Sequence, residues 1–440
     1  MFTLIRSLIL TLALFATATV AQATSLLRDA GMERALSELA RPVLEAAGLS
    51  AGRVKILVVD NDSLNAFVLT GDAIYIHSGL LMRLKRPAQI QAVIAHEAAH
   101  IANGHLSRRI GNLRTSNRAA AFGMALAAAA AAAGADGRAV AGIAAGSAGS
   151  ARRVFFSHTR AEEASADQSS IRYLLSAGID TRGALEVIDL FRGQEALSAS
   201  RQDPYNRTHP LTTDRYRALQ ALVSANVSGS EGDPKTSSYW FARAQGVLTG
   251  FKRAPSWTLR RAKSTTDVDT MRRAIAYHRN ADGNRAIAEA SKLVAARPRD
   301  PYFRDLQGQI LLENRQFGAS VQAYSNAVSL APNDPLLLGS YGRALLAQDT
   351  AASNRKALDV LVKARARDNR DARILRDLGL AYARAGQNGM AALTGAERQA
   401  LRGRLGDAVT LAKRASGLLP QGSAGWQRAQ DIIRTAELLK

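Results

Sequence analysis

The feature that most restricts the fold of this chain is an internal repeat in its C-terminal half. The segment Arg297–Pro301, with sequence RPRDP, recurs 34 residues later as Ala331–Pro335, with sequence APNDP. Gly308 and Gly342 keep the same spacing. A period of this length predicts paired amphipathic helices that cannot bury their own apolar faces. The pairs must therefore stack on one another, and a curved solenoid with a concave face results.

The repeat becomes less regular towards the C-terminus. Residues 378–382 lie three positions late relative to the 34-residue step, and residues 406–420 match more loosely. The period, the helix pairing and the closing prolines are those of the tetratricopeptide repeat. Residues 266–440 are therefore predicted to form an α-solenoid. The alternative, a non-repetitive helical bundle, does not account for a Pro-x-Asp-Pro pattern in strict register.

A second feature is a sequence motif that can bind a metal ion. An apolar, helix-like segment that begins at Pro87 contains the HExxH sequence formed by His96, Glu97 and His100. Positions i and i+4 of a helix share a face, so both imidazoles can bind one metal ion. Glu97 lies one step round the helix and can reach a water molecule on that ion. The motif therefore indicates one zinc ion per chain; the alternative is a pair of core or surface histidines without metal.

A catalytic zinc site needs a third protein ligand, and the chain contains no cysteine. A carboxylate between residues 160 and 167 is the candidate. Glu163 and Asp167 share a helical face, so Glu163 can bind the metal while Asp167 accepts the second N–H of a ligating histidine. Glu162 is the competing ligand, but the residue four positions later is an alanine. The remaining alternative is that these acidic residues lie at the solvent-exposed start of a helix and bind no metal.

His105 follows the motif at a spacing unsuited to a further ligand. It lies five residues after His100 and directly after Gly104. On a continued helix it would point away from the face that His96 and His100 share. We therefore predict a surface or capping histidine at this position.

The N-terminus has the pattern of a targeting segment. Arg6 is followed by an apolar run from Leu8 to Val20 and then by Ala-Gln-Ala ending at Ala23. The run is short for a membrane span, and the small residues fit a signal-peptidase site. We expect residues 1–23 to be a secretory signal cleaved after Ala23; an uncleaved anchor is the alternative. Export of a chain without cysteine indicates a bacterial periplasm.

The region that surrounds the motif mixes helix and strand patterns. Residues 26–47 have helical periodicity, residues 53–60 are strand-like, and residues 64–77 predict a hairpin with its turn at residues 70–72. Residues 119–151 are rich in Ala, Gly and Ser. We interpret them as closely packed helices, with membrane contact as the alternative.

Composition places a domain boundary in the middle of the chain. Residues 224–238 are rich in Ser, Gly and Asp and predict a linker. This divides the chain into a domain at residues 24–223, a connecting segment at residues 239–265, and the repeats at residues 266–440. Aromatic residues make up only 5% of the chain, which argues against a β-sandwich and favours a mostly α fold.

The chain is strongly basic, with a net charge of +21. Most of the excess of basic over acidic residues lies after residue 237, so the repeats could face an anionic partner. The alternative is a solvated helical surface, since the arginines are scattered. The sequence has no nucleic-acid-binding signature, and no nucleic acid is expected as a partner. Peripheral membrane contact stays open.

These features together resemble the zinc metallopeptidases of the gluzincin class that includes HtpX and the type I CAAX prenyl proteases. Within that class the chain is most similar to the periplasmic BepA-like branch, which joins the peptidase domain to C-terminal tetratricopeptide repeats. Besides the signal, the HExxH motif and the repeats, the matching pieces are Asn65–Phe67, Ser78–Leu81, Glu163–Asp167, Thr208–Pro210 and Arg215. An integral-membrane CAAX-type protease does not fit, because multiple spans are missing from the sequence pattern.

The resemblance implies a mostly α (α+β) fold, with a small β-sheet in the peptidase domain and an α-solenoid after it. It also implies zinc on His96, His100 and Glu163, with Glu97 as general base. His209 would lie near the metal, either as a transition-state donor or as a zinc ligand of the resting state.

Further roles follow from the same resemblance. Arg215 would orient the groups that stabilise the oxyanion, or stabilise it with His209. An edge strand formed by Asn65, Ala66 and Phe67 would pair with extended substrate. The chain departs from the family at Ser165, where an acidic residue is usual, and in the Ala/Gly-rich stretch.

The predicted function is that of a periplasmic zinc endopeptidase that hydrolyses unfolded or misassembled polypeptides. The resemblance suggests outer-membrane β-barrel proteins as substrates and their assembly machinery as the partner of the repeats. The rival interpretation is a non-proteolytic chaperone or adaptor that acts through the repeats. An adaptor, however, has no need of Glu97.

Overall fold

A computed structural model describes residues 26–108, 159–198, 201–226 and 234–438. The predicted signal segment and the Ala/Gly-rich residues 119–151 lie outside the described residues. Within the described ranges, no helix combines the length and the apolar character that a membrane span needs.

The N-terminal part of the chain contains a small sheet and the helices that cover it. The strands are β1 (Leu26–Leu27), β2 (Lys55–Val59), β3 (Ala66–Thr70) and β4 (Ala73–His77). The helices are α1 (Ala30–Ala46), α2 (Ser78–Arg83), α3 (Pro87–Ala102), α4 (Arg160–Ser176), α5 (Arg182–Asp189), α6 (Pro204–Thr208) and α7 (Thr213–Ala225).

The strands form a mixed sheet in the order β1-β2-β4-β3. β2 and β4 are parallel, whereas β3 and β4 form the predicted antiparallel hairpin, which is confirmed. β3 is therefore a terminal strand of the sheet. This position leaves one side of β3 without a neighbouring strand among the described residues.

The predicted helix over residues 26–47 begins later than expected. Leu26 and Leu27 pair with β2 as an antiparallel strand, and the Asp29 carboxylate accepts a hydrogen bond from the Met32 N–H at 2.7 Å. This cap fixes the start of α1 at Ala30. The prediction is wrong for residues 26–29 because strand pairing to a distant segment outweighs local periodicity. Pro42 lies within α1, which continues unbroken.

α3 runs through the centre of the N-terminal part. Pro87 occupies its first turn, where a missing N–H costs nothing. Every residue from 88 to 100 is buried, which is typical of a helix that is apolar on all sides. α4 packs against α3, and these two helices bring the HExxH motif next to the acidic segment.

The C-terminal part is a stack of helices. It begins with α8 (Pro234–Lys252) and α9 (Pro255–Arg261). Five helix pairs follow: α10 (Asp267–Arg279) with α11 (Gly283–Ala296), α12 (Pro301–Glu313) with α13 (Phe317–Leu330), α14 (Pro335–Gln348) with α15 (Ala351–Arg367), α16 (Ala372–Arg384) with α17 (Asn388–Leu401), and α18 (Leu405–Leu418) with α19 (Ala424–Leu438). The predicted fold class, mostly α with a small sheet and a repeat solenoid, is confirmed.

The glycines that recur in the repeat allow the two helices of a pair to approach closely. A Cβ atom at Gly308 would lie 2.8 Å from the ring of Tyr324 in the next helix. A Cβ atom at Gly342 would overlap the buried side chain of Leu361 in the same way. The repeated glycine is therefore a packing requirement of the repeat.

Replacing Gly342 by valine is expected to destabilise the fold by roughly 1–3 kcal/mol, because extra atoms in a packed core force strain. Gly318 is the matched control, since it lies in a helix of the preceding repeat and nothing surrounds its Cβ position within 4 Å. Gly318→Val should change stability by no more than about 0.5 kcal/mol. Urea unfolding of both variants measures the difference, and equal effects would contradict the packing argument.

The first helices of the C-terminal part and the N-terminal part share one hydrophobic core. α8 packs against both α1 and α10, and the core cluster runs through Leu36, Val247, Ile275 and Phe303. α7 ends at Ala225 and α8 begins at Pro234, so both ends of the predicted linker are helical, while its residues 227–233 lie outside the described residues. Residues on both sides of the predicted boundary therefore contribute to one hydrophobic cluster.

Ion pairs reinforce this contact between the sheet and the loop that joins α15 to α16. The Asp368 carboxylate lies 2.7 Å from Arg28 and 3.0 Å from Lys55, and Arg370 lies 3.0 Å from Asp72. Burial raises the pKa of Asp368, but the two cations outweigh it and lower this pKa to about 2. The carboxylate is therefore charged at neutral pH, which suits an ion pair between the two parts.

Candidate metal centre

The two histidines of the HExxH motif point to the same place. His96 and His100 lie one turn apart on α3, and their Nε2 atoms are 3.1 Å from each other. Both side chains are buried. The structure therefore has the shared helical face that the i, i+4 spacing predicts.

Glu163, on α4, faces these two histidines. Its Oε2 atom lies 3.4 Å from His96 Nε2, and its Oε1 atom lies 3.4 Å from His100 Nε2. Glu162, the competing carboxylate, instead turns back to its own helix start and accepts a hydrogen bond from the Thr159 N–H at 2.9 Å. The capping role of Glu162 leaves Glu163 as the acidic residue of the group.

His209 is the fourth member of the group. It follows α6, and its Nδ1 atom lies 3.0 Å from Glu163 Oε1 and 3.3 Å from His96 Nε2. Its ring stacks on Tyr205 with centroids 4.6 Å apart. His209 is therefore placed where it could act either as a donor to the reacting group or as a further metal ligand.

The donor set fits a tetrahedral metal ion. The ligand atoms offered by His96, His100, Glu163 and His209 all lie within 4.8 Å of one another. In a tetrahedron with metal–ligand bonds near 2.0–2.1 Å, ligand atoms are about 3.4 Å apart. The separations of 3.0, 3.1, 3.3 and 3.4 Å match this spacing. Three imidazoles and one carboxylate are ligands that zinc accepts.

Glu97 lies beside this group and is fully buried. Neither of its carboxylate oxygens has a hydrogen-bond partner among the described residues, and His209 Nε2 lies 3.4 Å from its Oε1. Burial raises the pKa of Glu97 above its ordinary value. A carboxylate that takes and returns a proton works best with a pKa near the working pH, so this environment suits a general base.

Asp167 and Arg215 support the metal-ligand side chains through hydrogen bonds and ion pairs. Asp167 Oδ1 lies 3.1 Å from His96 Nδ1, on the side of the ring away from Glu163. Arg215 donates to both oxygens of Asp167 at 2.7 and 2.9 Å and lies 2.5 Å from Glu163 Oε2. An N–H on His96 Nδ1 leaves a lone pair on Nε2 for the metal.

The charge of Arg215 keeps both carboxylates ionised. Burial raises the pKa of Asp167, but the charge and hydrogen bonds of Arg215 outweigh it and lower this pKa. Burial also raises the pKa of Glu163, but His209 and Arg215 together hold it well below its usual range. Arg215 is thus occupied with these carboxylates and with the His209 carbonyl oxygen at 3.3 Å. This favours an orienting role over direct contact with an oxyanion.

His105 does not lie where the sequence predicted. It is buried, and its Nδ1 atom lies 2.8 Å from His100 Nδ1. The prediction of a surface or capping histidine is wrong because it assumed a continued helix. α3 ends at Ala102, and Gly104 adopts a left-handed conformation with φ of 69°. This turn brings His105 back towards the motif.

The predicted substrate strand adjoins the loop that carries His209. Asn65 precedes β3, and Ala66 and Phe67 begin it. The Leu64 carbonyl accepts a hydrogen bond from the Tyr205 N–H at 3.2 Å. The residue that leads into the terminal strand is therefore hydrogen-bonded to the short helix that precedes His209.

Sequence reasoning missed two supporting contacts. Tyr205 stacks on His209, and their separation by four residues was the available signal. Asn103 donates to Ser165 Oγ at 3.0 Å and so ties the end of α3 to α4. Ser165, noted above as a departure from the family, thus has a structural partner.

Comparison with known proteins gives one family and several named relatives. Residues 26–223 match peptidase family M48. The beta-barrel assembly-enhancing protease of Escherichia coli (strain K12) is 25% identical over 385 residues, which are 83% of this chain and 75% of that protein. A relative from Vibrio cholerae is 28% identical over 210 residues, which are 43% of this chain and 42% of the relative. The chain therefore spans less than half of one relative and three quarters of the other.

Solved structures also align with part of the chain. A crystal structure of MamA covers 37% of this chain and 92% of its own, at 18% identity and a TM-score of 0.30.

Proposed function

We propose that this chain, whose residues 26–223 match peptidase family M48, is a periplasmic zinc endopeptidase that cleaves unfolded or misassembled outer-membrane β-barrel proteins. The observation that carries the proposal is the buried Glu97 carboxylate beside a group of four metal-ligand side chains.

The reaction divides between the ion and the protein. A zinc ion held by His96, His100 and Glu163 would polarise the scissile carbonyl and activate the attacking water. Glu97 takes the proton released by that water and returns it to the leaving amine. Neither of its oxygens has a hydrogen-bond partner among the described residues, although His209 Nε2 lies 3.4 Å from Oε1.

The supporting residues keep the ligands in place. Asp167 holds the proton of His96 on Nδ1, and Arg215 fixes Asp167 and Glu163 together. Preorganised ligands and charges lower the cost of reorganisation during the reaction. His209 would either donate to the oxyanion or supply a fourth ligand in the resting state.

The substrate proposal rests on β3. A terminal strand can add an extended peptide through backbone hydrogen bonds, with modest selection of side chains. Folded proteins rarely offer such a strand, whereas unfolded or stalled chains do. The name of the Escherichia coli relative, a beta-barrel assembly-enhancing protease, supports outer-membrane β-barrel proteins as the substrate class.

The repeats would dock the partner. Stacked helix pairs form an extended concave surface of the kind used for protein binding. We assign this surface to the assembly machinery of the outer membrane. The N-terminal signal pattern, cleaved after Ala23, would deliver the chain to the periplasm.

The test compares one substrate in two states. An outer-membrane β-barrel protein, diluted from urea, should be cleaved by the zinc-loaded enzyme, while the same protein folded in detergent should resist. A chelator should stop the cleavage. If the unfolded protein stays intact but is kept from aggregating, the adaptor interpretation is correct and the protease proposal is wrong.

A further inference from the structure

His105 has no place in the reaction described above, yet it is buried against a metal ligand. Its Nδ1 atom lies 2.8 Å from His100 Nδ1, and the ring centroids are 4.9 Å apart. His105 itself is 1% exposed. Two imidazole nitrogens at this distance share one proton, because one must donate and the other accept.

The role of His100 decides which nitrogen donates. Its Nε2 atom faces His96 Nε2 at 3.1 Å and Glu163 Oε1 at 3.4 Å, so Nε2 is the atom that faces the metal group. A metal ligand needs a lone pair at that atom, and the proton of the neutral ring must then lie on Nδ1. His100 is therefore the donor, and His105 Nδ1 is the acceptor.

We propose that His105 is a positioning residue that fixes the tautomer and the ring orientation of the zinc ligand His100. It does for His100 what Asp167 does for His96, and it does not touch the reacting atoms. The inference rests on the metal site of the proposed function.

The backbone conformation after α3 brings His105 into contact with His100. Asn103 ends α3 with its N–H bonded to the Ala99 carbonyl at 2.8 Å. Gly104 then turns the chain with a φ of 69°, which residues with a side chain rarely adopt. Residues 105–108 are helical again. The HExxH helix and the acceptor for its second histidine are thus adjacent parts of one local structure.

A neutral acceptor also balances the charge of the site. Among the described residues, the carboxylates of Glu97, Glu163 and Asp167 would carry three negative charges, which Arg215 and a divalent ion would balance with three positive charges. Buried charges are tolerated when they are paired. A second carboxylate at the position of His105 would leave one negative charge in excess, whereas an imidazole supports the ligand without adding any.

The experiment compares two substitutions of similar size. His105→Asn keeps an acceptor, Oδ1, near the place of the imidazole Nδ1, while His105→Leu keeps only the apolar volume. Zinc affinity is measured on the full chain by competition with a chelator. His105→Leu should bind zinc about 10–100-fold more weakly, the usual cost of losing such a partner, and His105→Asn should stay close to the wild type.

Equal loss of affinity in both variants would show that His105 only fills space, and no loss in either would also overturn the proposal. If His105→Leu does not fold, NMR of the zinc-loaded wild type decides: the account requires His105 protonated at Nε2 only, and a proton on its Nδ1 refutes it. A wild type that binds no zinc would instead defeat the proposed function.

Discussion

Replacing Glu97 by glutamine is expected to abolish peptide hydrolysis while zinc binding and the fold are retained. Glutamine has nearly the same shape but cannot accept the proton of the attacking water. Loss of a general base typically costs a factor of about 10²–10⁴ in rate. Because Glu97 is fully buried, a neutral side chain removes a buried charge and should not destabilise the chain. Initial rates of substrate cleavage and zinc content per chain measure the two parts of this prediction.

Glu162 provides the matched control for the Glu97 variant. It is also a glutamate near the site, but its carboxylate caps the start of α4. Glu162→Gln should therefore retain both zinc and hydrolysis. Cleavage by Glu97→Gln at the wild-type rate would show that the observed cleavage does not depend on Glu97. That result would favour the adaptor interpretation.

Replacing Glu163 by alanine is expected to remove the zinc ion and all hydrolysis with it. The substitution deletes a ligand, and it leaves Arg215 with a buried charge and one fewer partner. Loss of one partner from a buried ion pair costs about 3–5 kcal/mol, so the metal-free variant should also unfold at lower urea concentration. Metal analysis after gel filtration and urea unfolding measure the two effects.

The competing carboxylate gives the contrasting outcome. Glu162→Ala should keep the zinc ion, and loss of its capping hydrogen bond should cost about 1 kcal/mol of stability. If Glu162→Ala lost the zinc ion while Glu163→Ala kept it, the ligand assignment would be wrong.

The parts of the site that sequence reasoning placed well are those that local geometry controls. His96 and His100 share a helical face whatever the rest of the fold does, and so do Glu163 and Asp167. The rules for i, i+4 pairs need no tertiary information. The meeting of α3 with α4 does need it, and it was inferred only from the requirement of zinc for a third ligand.

Other parts depended on contacts that a local pattern does not contain. His209 lies 3.0 Å from Glu163 although 46 residues separate them, and only the family resemblance pointed to it. The predicted position of His105 was wrong because the prediction assumed a continuous helix. The left-handed conformation of Gly104 interrupts that helix before His105. A glycine directly after the motif was the signal for that turn.

In the repeats too, the sequence pattern predicted local structure but not all tertiary contacts. The 34-residue period predicted the helix pairs, and the close contacts at Gly308 and Gly342 give a physical reason for the repeated glycine. The packing of α8 on α1 was not predicted, because composition near residue 230 describes solubility and turn preference but not tertiary contact.

The most direct test of the account is a zinc titration of the chelator-treated wild type, with hydrolysis of an unfolded protein followed at each addition. The account predicts no hydrolysis without metal, then a linear recovery that ends at one zinc ion per chain. Full hydrolysis by the metal-free protein, or recovery unrelated to bound zinc, would contradict a metal centre formed by His96, His100 and Glu163.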